Sequence, residues 1–133
     1  MFAAPLADGV LGAADAGFVV AEWSDPGGPT DESPRLIAPL HIHLEDDEAW
    51  YVLEGTLCFW VGDHEIEAPV GAAVFGPRGV PHTFWNPGPG PARYLLVMTP
   101  RTLQLIETLH ELPDRSPETL RGHFRRYGCE IVG

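Results

Sequence analysis

Residues 35–55 read RLIAPLHIHLEDDEAWYVLEG, and residues 71–86 read GAAVFGPRGVPHTFWN. His41 and His43 are one residue apart in a segment of strand character, so both side chains point to the same face. Their Cα atoms are expected roughly 6.5–7 Å apart, twice the rise per residue. Two imidazoles at that spacing can converge on one ion, each at about 2.1 Å. Ile42, with Leu40 and Leu44, faces the other way. After the acidic turn Glu45-Asp46-Asp47, Glu48 begins the next strand and returns the chain beside the histidine pair. His82 opens a later strand behind Gly79-Val80-Pro81. Three neutral nitrogens and one carboxylate suit Fe(II), Mn, Ni, Co, Cu or Zn. Taken singly each residue has a blander reading. A strand histidine is usually a hydrogen-bonded polar residue, and Glu48 is one of four neighbouring acids on a solvated turn.

Outward from this stretch, breakers punctuate the chain. The 133 residues hold 14 prolines and 15 glycines, which cut the region from Pro26 to Pro100 into short runs joined by turns. The runs are 17–24, 35–44, 49–53, 56–61, 65–68, 72–75, 82–86 and 93–98, mostly rich in Val, Phe, Trp, Tyr or Leu and too short for helices. Glu54-Gly55 and Gly62-Asp63 read as hairpin-like connections. The segment 25–34 reads as a loop near the entrance of the fold. Eight such strands point to an all-β sandwich or small barrel. By strand alternation Trp50 shares the face of Glu48, and Phe84 the face of His82, which makes both core residues and candidates for a pocket wall. Which face of the 56–61 strand looks inward is open. Asn86 is expected to close a turn through its side chain.

Beyond residue 98 the pattern changes. Thr99 is a helix N-cap with Pro100 at the first position, and Leu103, Ile106, Leu109 and Leu112 recur at threes. Ser116-Pro117-Glu118 opens a second helix, which Gly128 stops. Four of the eight arginines (Arg115, Arg121, Arg125 and Arg126) lie in or just before this second helix, whereas residues 1–34 carry six acids and no base. A solvated helical face against acidic surface accounts for that asymmetry. His64, His110 and His123 are expected to be exposed.

Composition narrows the function. With 19 acidic against 8 basic residues, all of them Arg, the net charge is -11. Such a surface repels phosphate backbones and anionic lipid, so neither nucleic acid nor membrane is an expected partner. No run approaches the ~18 apolar residues of a spanning helix. Asp8 and Asp15, with no preceding Lys or Arg, argue against a signal peptide. Cys58 and Cys129 have no metal or redox spacing and suit a reduced, cytoplasmic protein.

The two quoted stretches resemble the cupin superfamily. Its first motif, G-x5-H-x-H-x(3,4)-E-x6-G, is met by His41, His43, Glu48 and Gly55, with Arg35 in place of the opening Gly. Its second, G-x5-P-x-G-x2-H-x3-N, is met throughout by Gly71, Pro77, Gly79, His82 and Asn86. The resemblance implies a single cupin β-barrel (double-stranded β-helix, or jelly roll) across 1–133, with the barrel at about 17–98 and a helical tail at about 100–128. It implies that His41, His43, Glu48 and His82 bind one divalent transition metal. The activity it points to is of the small quercetinase-like type. That is a dioxygenase acting on a small enolic or phenolic, oxygen-rich molecule, with Glu48 as ligand and base. The tail from Tyr127 to Val132 is similar to the endings of such cupins. A non-redox isomerase or cyclase using the metal as a Lewis acid, and a non-catalytic ligand-binding cupin, are the alternatives. Exposed aromatics such as Tyr51 and Trp60 on short strands call for a homodimer. Neither the metal nor the substrate is named by the sequence.

Overall fold

A computed structural model describes residues 1–30 and 33–133. Asp31 and Glu32, part of the expected entrance loop, lie outside the described residues. The described chain forms ten strands and two helices. These are β1 (Val10–Leu11), β2 (Val19–Asp25), β3 (His41–His43), β4 (Glu48–Glu54), β5 (Leu57–Val61), β6 (His64–Ala68), β7 (Ala73–Gly76), β8 (His82–Trp85), β9 (Ala92–Met98), α1 (Pro100–His110), α2 (Pro117–Arg126) and β10 (Cys129–Ile131). They build two five-stranded sheets, β1-β2-β9-β4-β7 and β10-β3-β8-β5-β6, antiparallel throughout.

From β2 to β9 the chain repeatedly changes sheet, which is the jelly-roll pattern the sequence implied. One expected hairpin therefore differs. Glu54-Gly55 joins β4 to β5 across the two sheets instead of pairing them. Gly55 has φ +73°, and a Cβ there would meet the Pro91 carbonyl oxygen at 2.5 Å, so glycine is required where the chain crosses against the 87–91 loop. Gly62-Asp63 does close a hairpin, with Val61 opposite His64. The expected strand over 35–44 is also shorter. Only 41–43 is a strand, preceded by a single bridge between Leu36 and Trp85, because Pro39 offers no N–H to a ladder.

Alternation places the core. Leu57 and Phe59 face inward and Trp60 outward, which resolves the open question about β5. Trp50, Phe59, Phe84 and Tyr94 form a connected aromatic cluster with ring centroids 5.2–5.6 Å apart. Such pairs add about 0.5–1.5 kcal/mol each beyond the area they bury. Leu44 is 53% exposed, so the outer side of β3 is less apolar in its packing than expected. Asn86 closes its turn as anticipated, its Oδ1 accepting from Gly88 N–H (3.1 Å) and its Nδ2 donating to Gly90 O (2.9 Å).

The helices start where the caps predicted: Thr99 and Ser116 accept from the backbone N–H of Thr102 and Thr119. Past the helical tail the chain returns to the second sheet, β10 pairing with β3 and Cys129 standing opposite His43. One expectation about the tail needs correction. His123 is buried, not exposed, held against Thr108 (3.0 Å) because α2 packs its inner face on α1. Of the arginines in the second helix, Arg121 donates to Ile131 O and Arg125 pairs with Glu130 of β10. It is Arg101 of α1 that bridges to Asp46 and Glu45.

Candidate metal centre

β3 presents His41 and His43 on its inner face and buries both, while β8 brings His82 directly opposite His41. Each imidazole is tethered through Nδ1. His41 is held by the Pro39 carbonyl, His82 lies 3.4 Å from the Val80 carbonyl, and His43 meets Cys129 Sγ at 3.1 Å. The loop before β8 is itself tied to β3. Gly79, at φ +77°, donates its N–H to the His43 carbonyl at 2.8 Å. Holding one ring nitrogen turns the other, Nε2, inward.

The three Nε2 atoms converge. One nitrogen from each of His41, His43 and His82 lies within 4.8 Å of the others. His41 Nε2 and His43 Nε2 are 3.1 Å apart. Two nitrogens each about 2.1 Å from one ion are separated by roughly 3.0–3.4 Å. His82 Nε2 is buried and makes no well-aligned hydrogen bond, its acidic neighbour being Glu48 at 3.3 Å. A buried ring nitrogen so poorly satisfied is costly in a settled core, and here it faces a ligand set. The triad fits a divalent transition metal.

Glu48 reaches this cluster from the other sheet. The sequence placed it beside the histidine pair by a reversal of the chain, but β4 lies across the interior from β3, so the carboxylate approaches face to face. Its Oε1 is 2.8 Å from His43 Nε2 and its Oε2 is 3.3 Å from His82 Nε2, with the side chain only 4% exposed. Burial alone would raise the Glu48 carboxyl, but the His43 and His82 imidazoles outweigh it and hold it well below the usual range. Burial likewise opposes a charge on His43. Its hydrogen bonds to Cys129 and Glu48 prevail and lift it to about 10. His41 goes the other way. Burial first, then the charges on His82 and His43, push it down to about 4. Without metal the centre is thus a carboxylate clasped by a charged His43, beside a neutral His41.

Above the cluster is a cavity of about 220 Å³. Trp50 and Phe84 line it, as their strand faces suggested, together with Ile37, Leu96 and Tyr94. Trp23, Ser24 and Ala38 add to that side, and the tail supplies Thr102, Leu105, Ile106, Leu109 and His110 of α1 and Phe124 of α2. Phe124 sets its ring edge-on to His41, centroids 5.4 Å apart. Neither Cys129 nor these helix residues was identified from the sequence. The only signal for them was the apolar spacing of α1, which marks a packed face without saying what it covers.

The model for the cupin domain matches residues 32–98 of the chain, the span that carries all four converging side chains. The chain belongs to the cupin family. A comparison with curated proteins finds no match. Among solved structures, this cupin is similar to a sugar phosphate isomerase from a cupin superfamily of Silicibacter pomeroyi DSS-3. The two share 28% identity and a TM-score of 0.54, over 63% of this chain and 51% of that one. A protein from Thermus thermophilus is 29% identical with a TM-score of 0.53, over 62% and 72% of the two chains. The cupin domain of Schizosaccharomyces pombe Cnp3 shares the fold at 15% identity, with a TM-score of 0.55 over 74% and 63%. The chain matches about half the length of the Silicibacter protein.

Proposed function

We propose that this cupin is a metal-dependent enzyme, a dioxygenase acting on a small enolic or phenolic substrate. The observation that carries the reading is the convergence of three imidazoles and one carboxylate on the floor of a partly enclosed, largely apolar cavity. His41, His43 and His82 would hold the ion, with Glu48 as a fourth ligand. When bound, a ferrous or similar ion supplies the redox and Lewis-acid chemistry that cleavage by O₂ needs.

The chain's own residues do the rest. The apolar walls exclude water and strengthen every electrostatic contact at the floor. Glu48 stands at the floor of the cavity, where its carboxylate is placed to take the proton of an enol or phenol hydroxyl seated above it. The histidines, each pinned through Nδ1, keep that carboxylate in one orientation.

A non-redox reading uses the same base. Glu48 would move a proton next to a polarised carbonyl, as isomerisation requires, and the 28% identity to the Silicibacter isomerase favours keeping it in view. The free thiols Cys58 and Cys129 agree with a reduced, cytoplasmic setting. The test is paired: metal content by elemental analysis of protein purified without added metal, and O₂ uptake across single enols and phenols. Stoichiometric metal with O₂ uptake is expected. Proton exchange or isomerisation without O₂ uptake would replace the dioxygenase by the non-redox enzyme, and ligand binding with neither would leave a binding protein.

A further inference from the structure

We infer that the cavity's occupant is a single-ring or equally compact molecule without phosphate, its oxygens at the histidine end and its body apolar. The inference deepens the proposed function and rests on that reading only in taking the histidine cluster as the floor of the site.

Size sets the first limit. An engineered cavity of ~150 Å³ walled by Leu, Ile and Phe takes up one benzene. This cavity, at about 220 Å³, is about half as large again. One ring with two small substituents fits wholly inside such a volume, whereas the three rings of a flavonol would have to extend out through its open side. The helical side of the wall is well packed: Leu105, Phe124 and Thr102 are each no more than 2% exposed, and Leu105 and Phe124 share a cluster with Cys129 of β10.

Charge sets the second. The chain has no lysine, and none of its eight arginines lines the cavity among the described residues. Arg35, Arg93 and Arg101, on neighbouring elements, are each engaged by carboxylates at the surface. A phosphate lying away from the floor would meet no cationic side chain, so only the floor, with its histidines and the ion they would hold, offers it any compensation. An unpaired buried charge is far more costly than an unpaired dipole. Away from the floor, the lining residues with polar side-chain atoms include Ser24, Tyr94, Thr102, His110 and Trp50, whose buried Nε1 has no hydrogen-bond partner among the described residues. The aromatic faces of Trp50, Phe84 and Phe124 suit the edge or face of one more ring.

The experiment is calorimetric titration of the full chain loaded with zinc, which does not turn over with O₂. The probes are catechol, the flavonol quercetin and glucose 6-phosphate. Catechol should bind at least about tenfold tighter than either competitor, the kind of margin a shape- and charge-matched pocket gives. In Ile106→Ala, which removes wall volume from α1, quercetin should gain at least about tenfold while catechol does not gain. Equal or tighter binding of quercetin or glucose 6-phosphate to the wild type, or binding of none of the three, overturns the inference. So does an Ile106→Ala variant that leaves quercetin unchanged. Catechol binding to the zinc form with no O₂ uptake by the iron form would sink the dioxygenase alone and leave the occupant class standing.

Discussion

The sulfur of Cys129 lies 3.1 Å from Nδ1 of His43, the two residues facing each other in register across β10 and β3. His41 and His82 have backbone carbonyls next to Nδ1, so His43 is the one imidazole of the three whose orientation depends on a replaceable side chain. With Nε2 given to a metal, Nδ1–H must donate to something, and the buried thiol is the acceptor in place. Loss of such a partner typically weakens metal binding by about 10- to 100-fold. Cys129→Ala should fall in that range in a chelator competition assay, and Cys129→Ser, which keeps an acceptor, should recover most of the loss. Affinity unchanged in the alanine variant would mean that β3 alone sets the ring.

That contact also shows what could be read from the sequence. His41, His43, Glu48 and His82 were legible because strand alternation and short turns fix their geometry locally, within two motif-length stretches. Cys129 was not, because it arrives through two helices and a strand pairing 86 residues away from its partner. The faces of β4 and β8 followed from alternation, so Trp50 and Phe84 were found. The cover formed by α1 and α2 was not found. A helix's apolar stripe records that it packs and not on what. The failed hairpin at Glu54-Gly55 has the same cause, since a turn residue reports the local φ and not whether the strands it joins share a sheet.

Gly76 holds the indole of Trp50 in position. It pairs with Glu48 in the β4–β7 ladder, and a Cβ there would lie 2.9 Å from the Trp50 ring and 3.7 Å from His82 Nδ1. A methyl group forced into that contact should cost about 1–3 kcal/mol. Gly76→Ala should therefore lower the unfolding free energy by that amount and weaken metal binding, whereas Gly90→Ala, which meets nothing within 4 Å, should do neither. Equal stability of the two variants in urea titrations would show that the ring can move aside freely.

The outer face of the first sheet carries two largely apolar rows, Val20-Val97-Ala49-Phe75 and Glu22-Leu95-Tyr51-Ala73. Phe75 and Tyr51 are 58% and 45% exposed on it. Two copies packed face to face would cover both rows. Light scattering is expected to give twice the 14.5 kDa chain mass, and Tyr51→Arg with Phe75→Glu should return the monomer. A wild-type protein at the single-chain mass at micromolar concentration would remove the dimer.

Protonation in the metal-free protein should give its stability a maximum near neutrality. His41 is held at about 4 against 6.5 in the unfolded chain, so its contribution is present above 6.5 and is lost as pH falls toward 4. His43 is held at about 10, so its contribution is full below 6.5 and is lost as pH rises through 10. The optimum therefore lies near 6.5, with a decline on both sides. Bound metal takes the place of the His43 Nε2 proton, so it should flatten the alkaline limb and release protons on binding. Urea titrations across pH, with and without zinc, measure both, and an alkaline limb unchanged by zinc would place the ion elsewhere.

Glu48 separates the possible chemistries. If the ion is only a structural staple, Glu48→Gln should weaken metal binding and lower stability, with no activity to lose. If Glu48 takes the substrate's proton, the amide can still offer an oxygen toward the histidines but cannot accept that proton. Removal of a positioned general base typically lowers rate by ~10² to 10⁴. The variant is therefore expected to keep much of its metal and lose at least about a hundredfold in turnover. It should also lower His43 from about 10, because one of the bonds that raises it is gone. That second effect is visible by NMR titration in metal-free protein, so it can be read even where no substrate has been found. Metal stoichiometry and turnover measured on one preparation decide the first effect. A metal-replete Glu48→Gln variant turning over at the wild-type rate would leave the carboxylate as a ligand or a brace, and would hand the proton to another acceptor lining the cavity, of which His110 is the nearest in chemistry.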